Sequence, residues 1–119
     1  MINVKDQIYA ALSAVFPNTS DAYPKSWAEF PAVQITEEEN SVAEWADNQE
    51  QKAYIRYRVD IWHNKSTSLP ALNVDAAISA LGLRRTACQD VEDPAGWKHK
   101  MMRYEGIVDV RTEQVYQNY

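Results

Sequence analysis

Cysteine, glycine and histidine are scarce in this 119-residue chain, with one Cys, three Gly and two His. Cys88 alone closes no disulfide within the chain, and its solitude excludes cysteine-based zinc sites and dithiol redox pairs. Gly82, Gly96 and Gly106 are too few and too scattered to cradle phosphate, and neither GxGxxG nor a P-loop occurs. His63 and His99 stand in no spacing that nominates a metal, so neither metal nor cofactor is expected. No apolar run approaches the ~18 residues of a membrane-crossing helix. The apolar stretch from Ile8 to Phe16 follows Lys5, Asp6 and Gln7 and is succeeded by no small-residue cleavage pattern, so a chain made in the cytoplasm, without a membrane partner, is expected.

Base is missing from one long stretch. Between Glu29 and Glu50 there are seven acids (Glu29, Glu37, Glu38, Glu39, Glu44, Asp47 and Glu50) and no Lys or Arg. Residues 1–50 carry two lysines against nine acids, a balance of −7, whereas residues 51–119 carry ten bases against eight acids, a balance of +2. An acidic half repels phosphate backbones, which argues against binding DNA through the whole surface. It equally suits a docking face for a copy or partner that presents the basic half.

The apolar pattern predicts one α+β domain spanning residues 1–119. Val4, Ile8, Ala11, Leu12 and Val15 share a helical face, with Asn3 as N-cap and Pro17 as stop. A loop follows to Pro31, held down by Trp27 and Phe30. Ala32 to Thr36 reads as a short strand broken by Glu37 to Ser41, with Val42 to Trp45 as a second strand or arm. From Lys52 to His63 the alternation is strict. Ala53, Ile55, Tyr57, Val59 and Ile61 take one face, and Tyr54, Arg56, Arg58, Asp60 and Trp62 the other. A helix over Leu69 to Leu81, capped by Ser68, buries Val74, Ala77, Ile78 and Leu81, and Gly82 supplies the left-handed stop. Arg85 to Asp90 and Trp97 to Arg111 are the last strands, with Gly106 inviting a bulge. This order gives a single antiparallel sheet with both helices on one face and long hairpin strands.

Two expectations follow. The sheet face opposite the helices is too rich in Tyr, Trp and Arg for a surface that meets only water. The Lys52–His63 strand, at about 40 Å when straight, exceeds a compact body of about 35 Å, so it bends or projects. Projecting hairpins call for a partner.

Chemistry finds little purchase. Cys88 with His63 or His99 has no local motif behind it, and Cys88 reads as a small buried hydrophobe. Three consecutive glutamates cannot all turn toward one calcium ion. Asp60 with Glu105 or Asp109 is a carboxylate pair of the kind any acidic chain offers. Arg84, Arg85, Lys98, Lys100 and Arg103 read as a solvated basic face.

The ordered features resemble a family. They are the N-terminal amphipathic helix; Phe30-Pro31-Ala32-Val33-Gln34-Ile35 leading through Glu37, Glu38 and Glu39 to Asn40; and Tyr57-Arg58-Val59-Asp60-Ile61-Trp62. A Ser-rich turn and a helix ending Leu81-Gly82-Leu83-Arg84-Arg85 follow, then His99-Lys100-Met101-Met102-Arg103-Tyr104 running into Gly106-Ile107-Val108-Asp109. Over nearly the whole chain, in short motifs, this resembles the tail terminator, or tail completion, proteins of long-tailed bacteriophages and prophage particles.

The resemblance implies a structural virion protein and not an enzyme. Its copies form a ring, typically a hexamer, that caps the head-proximal end of the tail tube, ends tube polymerisation and offers the head-joining surface. The implied partners are further copies of the chain, the tail tube protein and a head-closure or neck protein, with DNA only passing through the lumen. The implied location is the head–tail junction of the virion, reached by assembly in the bacterial cytoplasm. Candidate interface residues are Arg56, Arg58, Asp60 and Trp62 on the outer sheet face, Glu37, Glu38 and Glu39 on the acidic segment, and Arg103, Asp109 and Arg111 on the last strand. The alternatives are a head-closure or neck adaptor and a small ligand-binding or enzymatic domain.

Overall fold

The computed structural model describes residues 1–24, 29–112 and 115–116. Along it run α1 (Lys5–Ser13), β1 (Asn18–Ser20), β2 (Ala32–Ala46), β3 (Gln49–His63), α2 (Ser68–Ser79), β4 (Arg84–Val91), β5 (Lys98–Asp109) and β6 (Val115–Tyr116). Trp27, expected to pin the first loop, lies outside the described residues.

The strands make one sheet in the order β1-β2-β3-β5-β4, with β6 paired to β5. The fold is α+β with one sheet, as the alternating pattern predicts. Its strands pair antiparallel except for β1, which forms inside the expected loop and joins β2 in parallel, Asn18 opposite Ala32 and Ser20 opposite Gln34.

Strict alternation on β3 explains where the core sits. Ala53, Ile55, Tyr57, Val59 and Ile61 are fully buried, and they join Ile8 and Leu12 of α1, Val74 and Ile78 of α2, and Met102, Tyr104 and Val108 of β5 in one cluster. Both helices therefore cover the same sheet face. Asn3 marks the start of α1 through its side chain, whose Oδ1 accepts the Lys5 N–H at 2.9 Å. Val15 departs from the expected stripe: α1 ends at Ser13, and Val15, past the last turn, is exposed. At α2 the residue before the helix is Thr67, and the hydroxyl that accepts a first-turn N–H is that of Ser66, from Ser68 at 3.2 Å, not that of Ser68 itself. Gly82 ends that segment at φ 94°, a value open to glycine and strained for other residues.

β2 is longer than its sequence suggests. The expected break at Glu37 to Ser41 is absorbed as irregularities between Glu37 and Glu39, between Val42 and Glu44, and between Glu44 and Trp45, while pairing with β3 continues to Ala46 opposite Gln49. Asp47 (φ 52°) and Asn48 (φ 60°) then close the hairpin in the left-handed region, which these two residue types tolerate and which matches the twist of the flanking strands. Gly106 causes no bulge. It lies opposite Ile55 in an unbroken β3–β5 register, and the irregularity on β5's other side falls between Arg85 and Ala87 of β4.

Of the β3 strand, only Gln49, Glu50 and Gln51 lie past its ladder with β5, which accompanies it from His63 to Lys52, so any projection is short. The body extends 51 × 25 × 24 Å, with a radius of gyration of 15.2 Å. Every β2 residue from Ser41 to Ala46 is exposed.

Candidate assembly surface

Alternation on β3 sends Arg56, Arg58, Asp60 and Trp62 to the face away from the helices, and the β3–β5 register sets Arg103 directly opposite Arg58. Three cations on one face require counter-charges, and the acidic segment supplies them. Glu38 Oε1 accepts Arg103 Nε at 2.9 Å and Arg56 Nε at 3.3 Å, while Glu39 approaches Arg56 at 3.5 Å. Burial alone pushes the Glu38 carboxyl up, but the Arg103 and Arg56 guanidiniums outweigh it and hold the group below its ordinary range. Glu37 faces the other way, accepting the Tyr57 hydroxyl at 3.2 Å and the Asn40 amide at 3.0 Å. The acidic triplet is thus part of a strand that clamps its own neighbours, not a free loop.

Nearer the end of β3, the outer face is covered. Asp60 takes a two-pronged bond from Arg58, Nε to Oδ2 and Nη2 to Oδ1 both at 3.0 Å, and a bond from His99 Nε2 at 2.8 Å. Trp62 stacks on His99 with ring centres 4.4 Å apart, meets Tyr23 edge-on at 5.5 Å and donates to Asp93 at 3.3 Å. Trp62 is 3% exposed and Asp60 is buried with it. The expectation that these two lie open for a partner is therefore corrected: Tyr23 and His99 pack on Trp62, and Arg58 and His99 enclose Asp60. Phe30, stacking with His63 and packing on Trp97, does what was expected of it. Asp109 caps a turn, its Oδ1 accepting the N–H groups of Arg111 and Thr112, and these backbone donors hold its carboxyl below the ordinary range; Arg111 is exposed.

The register also disposes of a Cys88–His99 pair. Cys88 stands opposite Met102, on the helix side of the sheet, whereas His99, opposite Trp62 and Val91, stands on the other side. Cys88 is exposed, contrary to the buried role expected of it, because β4 is an edge strand with few covered positions. His99 Nδ1 is buried and makes no hydrogen bond, so the Asp60–His99 pair has no hydroxyl or thiol to act upon. An open cleft of about 650 Å³ between the Ser66–Ser68 turn and the β4–β5 loop carries Asp90, Glu92, Asp93, Lys98 and Lys100 along its rim. Among the described residues no group of three His, Cys, Asp or Glu side chains could hold a metal ion, and no helix is long and apolar enough to cross a membrane.

Among the described residues the exposed large apolar side chains include Met1, Tyr9 and Tyr23, and further ones gathered at two places. The hairpin arm presents Val42 and Trp45, the latter 60% exposed. The helix layer presents Leu69 and Leu72, the latter 67% exposed, beside a shallow groove of about 380 Å³ lined by Val15, Asn73, Ala76 and Ala77. Neither place follows from reading the outer sheet face. The signal for the second was present in α2, which carries Leu69 and Leu72 away from the buried Val74 and Ile78. No known family model matches the chain, and no curated protein is significantly similar to it.

Proposed function

We propose that the chain is a structural subunit of a phage-type particle, a tail terminator whose copies close into a ring on the head-proximal end of the tail tube. The observation that carries this reading is the arm. Past Lys52, where the β3–β5 ladder ends, the β2–β3 hairpin runs on for a few residues as two strands and exposes Trp45, with Val42 exposed nearby, apolar surface of the kind a neighbour covers. The motif order along the chain supports the same reading, and so does the outer sheet face, whose arginines and acids satisfy one another instead of converging on a ligand.

The mechanism is steric. A ring subunit adds to the last tube ring through one face and offers no opposite face on which another tube ring can grow, which ends polymerisation without catalysis. The ring itself requires a head-to-tail contact between copies whose rotation closes. Because Glu37, Glu38, Glu39, Glu44 and Glu50 are bonded within the subunit, the acidic stretch is better suited to line a lumen, where excess negative charge lets DNA slide without sticking, than to pair with a neighbour's bases.

The experiment adds purified chain to polymerising tube protein and measures tube length by electron microscopy. Short, capped tubes carrying a ring at one end support the proposal. Unchanged tube lengths refute it, and binding to portal complexes under those conditions identifies a neck adaptor instead.

A further inference from the structure

We draw no further inference here: the strongest candidate, the free edge of strand β4, carries nothing, because its Arg85 and Asp90 are already held by Asp75 and Lys100 and nothing in the structure shows what strand would cover it.

Discussion

Replacing Glu38 by Gln separates an acidic segment that holds its own subunit together from one that waits for a partner. The carboxylate lies between two guanidiniums, accepting Arg103 Nε and Nη2 at 2.9 and 3.3 Å and Arg56 Nε at 3.3 Å, and its side chain is 19% exposed. An amide keeps the shape but removes the charge, leaving Arg56 and Arg103 facing each other without a counter-ion. Loss of bonds to a charged group costs about 1.5–3 kcal/mol when the site is closed to water. Both arginines are roughly a third exposed, so solvent recovers part of that, and about 1–2 kcal/mol is expected. With a typical urea slope for a domain of this size, the midpoint falls by roughly 1 M. The pH dependence follows from the direction of the shift. The folded carboxyl titrates below its ordinary value of 4.5, so its contribution is complete above that value and is lost as the pH falls through the folded pKa. Urea titrations of both proteins at pH 7 and about pH 3 are the assay. A deficit at pH 7 that shrinks at low pH is the expected result. Equal midpoints at pH 7, or a deficit that does not diminish in acid, refutes the assignment.

Other substitutions probe other joints. Tyr104→Phe removes a buried hydroxyl that donates to Asp75 at 2.9 Å and is expected to lower stability by about 1–2 kcal/mol, read from the urea midpoint. Asp60→Asn leaves Arg58 and His99 without their shared anion beneath the Trp62 ring; a loss of about 2–3 kcal/mol and a changed tryptophan emission are expected. At the hairpin turn, Asn48→Val places a β-branched residue at φ 60° and is expected to lose about 1–2 kcal/mol, whereas Asn48→Gly stays within a few tenths of wild type by the same assay.

Much of the fold was written in short-range pattern. The five apolar residues of β3 named the core face, and Gly82 the end of α2, because alternation and a left-handed stop act over a few neighbouring positions. What escaped the pattern depends on partners distant in sequence. Glu37, Glu38 and Glu39 look like a break until Arg56, Arg103 and Tyr57 are laid beside them, and cross-strand pairing then outweighs their poor strand propensity. β1 consists of three polar residues whose only strand signal is the edge of β2 that receives them. Trp62 and Asp60 alternate correctly onto the outer face, but they are buried by partners distant in sequence, Tyr23 and His99 on Trp62 and His99 on Asp60, which no periodicity encodes. Trp45 passed as an ordinary strand residue because its exposure depends on β2 running on as the sheet edge past β1, which pairs only with Ala32 to Gln34.

Assembly is the claim on which the functional account stands, and native mass spectrometry of the purified chain across a hundredfold range of concentration tests it most directly. The account predicts one discrete species above the monomer, a closed multiple of the 13.6 kDa subunit with six copies as the expected number, that neither grows into longer polymers nor appears as a ladder. A spectrum of monomer alone at the highest concentration, or an open series of ever larger multiples, contradicts it.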